Sequence, residues 1–446
     1  MRYEVNLHNN ITFNKTVSLL LMITFVSCIS AIMLWYSQDD FYAIFPMYTL
    51  AFASYFVLVY NSDVNLYSLF WLGVVVRIII LFCFPNLSDD IFRFYWDGRL
   101  TISGINPYGI LPSDSISYSI DGLTKDVFDN LNSPNYYTIY PPVNQLYFAL
   151  SAWLEDIYYA SFFMKFLVVM TELMGLYFII KLLEIAKLDR RLSMMYFINP
   201  LVIVEGAGNL HFEVVMLSFL AAALYYSFQN RLKLGGLFFA LSIGVKLLPL
   251  MLLPYFWFRL KVRDRLVFFG SLIGCCILIF LPMASGIAFS SFFESVDLYF
   301  RKFEFNASVY YVFRWLGFQF SGYNLIKYIG PILALIVVTS NVYIARQKAT
   351  FSFLDFVKYA LISWTLYLLF STTVHPWYVI SALFFTMFLS INYAILWSYL
   401  IFVTYINYSE AIYSENYMFV AFEYLILGYL IYRERNLLRL SYLGKG

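Results

Sequence analysis

At 446 residues, with 62% hydrophobic and 13% charged side chains, the chain carries about half the charge of an ordinary soluble domain, near 25%, and cannot clothe a globular surface in water. A formal net charge of +2 offers no basic surface for nucleic acid. Mean hydropathy is +0.72 and aromatic side chains make up 22%, many of them at segment ends as an interfacial belt requires, so the expected fold is an all-α integral membrane protein.

The polar N-terminus, residues 1–16, carries Arg2 and Lys15 and leads into an apolar run from Val17 to Tyr36. A span needs about 20 apolar residues and a signal-peptide core only about 7–15, so this run reads as an uncleaved first helix. Further apolar segments lie at 41–60, 65–84, 157–180, 193–205, 210–228, 235–258, 266–286, 326–344, 352–370, 376–391, 394–406 and 417–432. They predict a polytopic helical bundle of about 12–14 transmembrane segments forming one domain over 1–446. Cys28, Cys83, Cys275 and Cys276 all fall inside apolar runs, without metal or disulfide spacing.

Basic residues cluster at some boundaries only: Lys181 to Arg191, Arg231 and Lys233, Arg259 to Arg265, Arg346 and Lys348, and Arg433 to Arg439. Placing these inside puts Asp39–Asp40, the stretch 85–156, Glu205–Glu213, 287–325, His375 and Glu410–Glu415 outside. Segment 235–258 has basic clusters at both ends, so the chain crosses an even number of times between them. Lys246 stands mid-segment, at a cost of about 2.5–3.5 kcal/mol at a bilayer centre, and Pro249 cannot donate the bond a continuous helix needs. The expectation is two half-length helices meeting near Lys246, which faces outward. The alternative is one tilted helix whose Lys246 pairs with a carboxylate.

The first outer loop opens with a short helix, Ser88 as its N-cap and Gly98 as its stop. Asp90, Arg93 and Asp97 share one face of it. Acidic residues in a first turn complement the helix dipole and need no further role. Here, however, Asp89 and Asp90 follow directly on a span ending at Cys83–Pro85 and sit among Phe92, Phe94, Tyr95 and Trp96, which favours a functional site. Further along, Gln145–Leu154 is apolar but too short to span, and reads as an interfacial helix.

The string DDIFRFYWDGR over 89–99, followed by Gly104 to Tyr108, resembles the first-loop signature of the GT-C glycosyltransferases, in particular bacterial mannosyltransferases that use polyprenyl-phosphate mannose. More distantly it is similar to the first loop of the eukaryotic GPI mannosyltransferase. Further strings follow in the family's order: Tyr140 to Pro142, Asn199–Pro200, Glu205 through Glu213, Lys246 to Pro249 and His375 to Tyr378. The likeness covers about 80–380; Glu213 stands where relatives often carry Asp. It implies a GT-C-like bundle and an inverting hexosyltransferase, moving mannose or another hexose from polyprenyl phosphate to a glycan, lipid or protein acceptor at the outer face of a bacterial inner membrane. A first-loop Asp is the family's catalytic base. Asp90, directly before Ile91–Phe92, fits that position, with Asp89 in support.

Charge builds on a departing lipid phosphate, so fixed cations beside it favour the transition state. Lys246, His211, His375 and Arg77 all reach the outer boundary in this topology, although His375 could belong to an aromatic belt and Arg77 could only snorkel. Glu205 and Glu213 flank the turn at His211 and are expected to accept sugar hydroxyls or to hold Lys246. Arg93 and Tyr378 complete the donor-binding set; Tyr108, Tyr140 and Trp377 could stack on sugar or prenyl chain. No metal is required, although Asp89–Asp90 could hold a divalent cation. The expected partners are a polyprenyl phosphate sugar donor, its acceptor and membrane lipids, with no nucleic acid. Rival readings are a secondary transporter, with a central path between both faces, and an O-antigen-type polymerase or ligase.

Overall fold

The computed structural model describes residues 14–437 apart from 62, 285–287, 293, 296–302, 348–350 and 410–413. Arg2, Lys348, Arg439, Glu410 and part of the 287–325 loop therefore lie outside the described residues. The described chain is helical, with an isolated bridge between Phe305 and Thr373. In chain order the helices used below are α1 Lys15–Trp35, α2 Phe41–Tyr60, α3 Leu66–Leu81, α4 Asp90–Ile102, α5 Pro142–Ala152, α6 Ile157–Ala186, α7 Glu213–Phe228 and α8 Leu232–Val245. They continue with α9 Leu253–Arg259, α10 Val262–Phe280, α11 Val309–Ser321, α12 Ile326–Arg346, α13 Phe353–Phe370, α14 Val379–Thr386, α15 Tyr393–Leu400 and α16 Tyr417–Glu434.

The polytopic all-α class expected from composition is what the chain adopts. Among the described residues six helices are long and apolar enough to cross a membrane, or seven if the segment Val202–Gly208 and α7, bent by 99°, count as one. Several apolar segments of the sequence form shorter helices, as at α3, α8 and Pro376–Thr386. Such short pieces are tolerated at membrane depth where they are buried in protein, and α14 is buried along its whole length.

Ionisable residues inside the bundle are paired across helices. Arg77 on α3 is 1% exposed and grips Glu172 of α6 with two bonds of 3.0 and 3.1 Å, its guanidinium 4.0 Å over the Phe197 ring. Arg77, which the sequence offers as an outer cation or a snorkelling side chain, is thus a structural clamp away from the cavity. Lys165 of α6 donates to the Cys83 carbonyl at 2.6 Å, satisfying a group just beyond the end of α3.

The break at Lys246 has the geometry of a hairpin. α7 and α8 run antiparallel, with Ser227 against Gly235 and Ser242 donating to the Met216 carbonyl. α8 and α10 run parallel, with Gly236 against Ser271 and Gly244 against Ile279. A chain that leaves α8 and enters α10 in the same direction must come back in between. It does so through Lys246 in extended conformation, a tight turn over Leu248–Leu252, and α9. Lys246 therefore sits at the bundle end that also holds the start of α7.

Two details of the first loop differ from the sequence expectation. Asp89, not Ser88, precedes the helix; Ser88 instead accepts from the Asp90 amide at 3.4 Å. Gly98 does not stop α4, which runs on to Ile102. The glycine serves a close crossing: a Cβ there would stand 2.4 Å from the Phe148 carbonyl of α5. α5 itself buries Phe148 against α4 and Val143 against Gly244 of α8, and exposes Leu146 and Leu150, as an interfacial helix does.

Candidate active site

A cavity of 1010 Å³ opens at the end of the bundle where α4, the Gly208–Phe212 turn and the Lys246 tip converge. Asp89, Asp90, Arg93, His211, Lys246, His375 and Tyr378 all line it. Residues separated by almost 300 positions are thus brought together.

Asp90 occupies the first turn of α4 with its carboxylate in the cavity. One oxygen accepts from Asn132 Nδ2 at 2.9 Å, and the other lies 4.0 Å from His211 Nε2. Asp89 stands beside it, and burial, followed by the Asp90 charge, pushes its carboxyl above the usual range, partly offset by a hydrogen bond from Gln38. Arg93 lines the cavity with its charge engaged: Asp97 at 2.9 Å, the Ser133 carbonyl at 3.0 Å and the Tyr136 carbonyl at 2.8 Å. It ties down the loop that carries Asn132. Asp97 in turn accepts from Gln145 of α5 at 3.0 Å.

The turn after Val202–Gly208 passes through Leu210 at φ 62 and presents His211. Glu205, fully buried, lies behind the ring: its Oε2 is 3.0 Å and its backbone carbonyl 3.1 Å from His211 Nδ1. With two acceptors facing Nδ1, the proton is assigned there by the hydrogen bonds, and Nε2 faces Asp90 and the cavity. Tyr405 donates to the other Glu205 oxygen at 2.8 Å. Trp377 stacks on His211 at 3.5 Å, and His375 stacks on Trp377 at 4.4 Å.

Lys246 pairs with Glu213, the first residue of α7, and its ammonium lies 5.3 Å from the centre of the Tyr378 ring. The break here rules out the single tilted helix, although the carboxylate partner that reading supplied for the lysine is present at the hairpin tip. Glu205 and Glu213 do not line the cavity; they sit behind His211 and Lys246 and hold them. Burial, then His211 and Lys246, lowers His375 to about 3, so this ring offers hydrogen bonds and stacking rather than positive charge.

Sequence reasoning missed Asn132, Gln38 and Tyr405, which touch Asp90, Asp89 and Glu205 respectively. Asn132 lies in a polar loop and Gln38 next to Asp39–Asp40, both in segments read as outer, and that shared placement was the available signal. Tyr405 is one of 40 tyrosines and carried none.

Residues 12–261 match the family model of the MptA_B family, described as alpha-(1->6)-mannopyranosyltransferase, N-terminal domain. The chain belongs to this family. No curated protein matches it significantly. Family membership makes the activity mannosyl transfer between a sugar donor and an acceptor in a membrane-embedded enzyme. The matched region holds Asp89, Asp90, His211 and Lys246, whereas His375 and Tyr378 reach the cavity from beyond it.

Proposed function

We propose that the protein transfers mannose from a polyprenyl phosphate to an acceptor hydroxyl, with inversion, at the outer face of a bacterial inner membrane. The observation that carries this reading is the cavity's division. Asp89, Asp90, His211 and Lys246 gather at one end, and an uncharged trough runs from them along α12. A sugar phosphate with a long hydrocarbon tail has that division. A transporter would place its ionisable groups along a path to both faces.

In the proposed step Asp90, steadied by Asn132, takes the proton of the acceptor hydroxyl as that oxygen attacks the anomeric carbon. The bond from that carbon to the phosphate oxygen breaks on the opposite side, and the electron pair leaves on the lipid phosphate. Lys246 has ammonium hydrogens beyond the one given to Glu213, and these meet the growing phosphate charge. His211, fixed by Glu205 and Tyr405, stands within reach of Asp90 to share the proton. General-base removal of this kind contributes about 10²–10⁴-fold. A divalent cation on Asp89–Asp90 would add oxygen-ligated positive charge, and activity in excess chelator tests whether one is used.

The family description names an α-(1→6) linkage, which inversion makes from a β-linked donor. The test supplies purified protein with β-mannosyl polyprenyl phosphate and a mannoside acceptor, and reads the one-bond carbon–proton coupling at the new anomeric centre. An α-linked product is expected. A β-linked product, a glycosyl adduct on Glu205 or Glu213, or use of a nucleotide sugar alone overturns the proposal.

A further inference from the structure

Glu205 fixes the Nδ1 edge of His211, whereas the face of the ring is held by a stack. Trp377 lies on the imidazole at 3.5 Å and 14° from parallel. His375 lies on Trp377 at 4.4 Å and 7°, and Phe305 lies on His375 at 4.7 Å and 29°. Four rings from three stretches of chain thus stack nearly parallel, a favourable arrangement for aromatic faces when offset. His211, Trp377 and His375 line the cavity, and Phe305 does not. The stack therefore runs from the imidazole beside Asp90 to a ring outside the site.

Phe305 belongs to the second outer loop, and its backbone is paired with the segment that leads into His375. Its N–H donates to the Thr372 carbonyl at 3.1 Å, and the Val374 N–H donates to the Phe305 carbonyl at 2.8 Å. The next residue, Asn306, is fully buried and takes the left-handed conformation, φ 45, which asparagine adopts more readily than most residues. Its Nδ2 donates to both oxygens of Glu423, at 3.4 and 3.2 Å; its backbone N–H donates to Glu415, and its carbonyl accepts from Tyr424 at 2.7 Å. Glu423 stands on α16, 3% exposed, and also accepts from Trp397 of α15 at 2.7 Å. An ionisable residue inside a membrane helix is costly, and marks a role beyond packing. Glu423 lies outside the cavity, so its role is exerted through Asn306.

Resting on the transferase reading above, we propose that Phe305 is a positioning residue: held by the clasp of Asn306 on Glu423, it closes the far end of the stack and keeps His211 Nε2 aimed at Asp90. Two acceptors grip the imidazole at Nδ1. A ring gripped at one edge can still rock about it, and rocking swings Nε2, 4.0 Å from Asp90, toward that carboxylate or away. Trp377 blocks the motion on one face for as long as it is itself backed, and His375 and Phe305 back it. A displacement of about 1 Å at a reacting group costs up to about 100-fold in rate. The second outer loop and α16 therefore act on proton transfer, whereas the donor phosphate is met by Lys246 from a different segment.

The experiment uses full-length protein in nanodiscs, in single turnovers with β-mannosyl polyprenyl phosphate and a mannoside acceptor. The amplitude of a turnover counts folded, active molecules and its rate reports the chemistry, so a merely structural role lowers the first and a positioning role the second. Phe305→Leu stays apolar but removes the flat face; Glu423→Ala opens the clasp without touching the stack. Each should slow the step by about 10–100-fold, with the donor concentration for half-maximal rate unchanged. Phe305→Tyr restores a flat ring and should recover most of the rate. The sequence has 3 histidines, so protein labelled at histidine Cε1 gives three signals, and His211→Gln identifies the one that Trp377 shifts by its ring current. That signal should move in Phe305→Leu. A wild-type rate in both Phe305→Leu and Glu423→Ala, a loss confined to amplitude, or an unmoved His211 signal overturns the positioning role. No transfer by the wild-type protein would instead sink the transferase reading, and the histidine signal would still test the stack.

Discussion

Replacing Lys246 by Met keeps most of the stem and removes the charge that Glu213 faces. Glu213 is fully buried, and its second oxygen already has no partner. It would be left as a carboxylate without a cation, and breaking one side of a buried pair costs about 3–5 kcal/mol. The Lys246 side chain is 21% exposed to the cavity, which places the expected loss at the lower end, about 3 kcal/mol. Glu213→Gln alone leaves the lysine beside the cavity and should cost less, about 1–2 kcal/mol. The double variant should be more stable than Lys246→Met, with a coupling of about 1–3 kcal/mol. SDS titration of the purified protein in mixed micelles reads these differences. Donor kinetics on the same samples separate the two roles of the lysine: the double variant should regain stability while its KM for the lipid phosphate stays raised. Recovery of both would make Lys246 purely structural, and wild-type stability in Lys246→Met would contradict the pairing itself.

Asp90→Asn retains an oxygen for Asn132 Nδ2, so the fold should stand while single-turnover rates fall about 10²–10⁴-fold; full turnover there, with loss in Asp89→Asn, would move the base to Asp89. The raised Asp89 carboxyl predicts the sign of a stability profile. The fold disfavours the ionised form, so stability is full below the ordinary carboxylate range, about pH 4, and is lost as pH rises through the raised value. Asp89→Asn should therefore equal wild type in acid and exceed it at neutral pH in thermal-shift scans, and a constant difference across pH would count against the account. Gly98→Ala puts a methyl 2.4 Å from the Phe148 carbonyl and should cost about 1–3 kcal/mol by the same titration, since backbone must move; wild-type stability would mean that α4 and α5 do not cross so closely.

The class of the fold was legible because bilayer solvation acts on composition and on run length, and both are sequence properties. The Lys246 break was legible for a related reason: basic clusters at both ends of 235–258, a mid-segment charge and Pro249 all disagreed with a single span. Gly98 was misread because a glycine that stops a helix and one that admits a neighbouring helix look alike in sequence, and only the Phe148 carbonyl distinguishes them. Apolar runs such as 376–391 form short helices rather than full-length ones because they are buried inside the protein, where a helix need not be a full span. In the site, the carboxylate, cationic and imidazole side chains that face the cavity were found from chemistry and resemblance. Those acting through another side chain, Asn132 and Tyr405, depend on contacts across 42 and 200 positions that no local pattern records.

Four of the groups turned toward the cavity are each held by another side chain. Glu205 holds His211, Glu213 holds Lys246, Asp97 holds Arg93, and Asn132 holds Asp90. The carboxylates expected to meet sugar hydroxyls are therefore used to aim cations and an imidazole. This arrangement fixes dipoles and charges before substrate arrives, so little reorganisation is left for the reaction itself. It also leaves Asp89 and Asp90 as the acidic pair lining the cavity, with Glu205 and Glu213 turned away from it. A double displacement with retention needs a nucleophilic carboxylate and a separate acid/base group about 5–5.5 Å apart around one anomeric carbon. Carboxylates on neighbouring residues of one chain segment suit that division poorly, and a single base behind the acceptor suits them well. The proposed inversion thus rests on where the buried glutamates point.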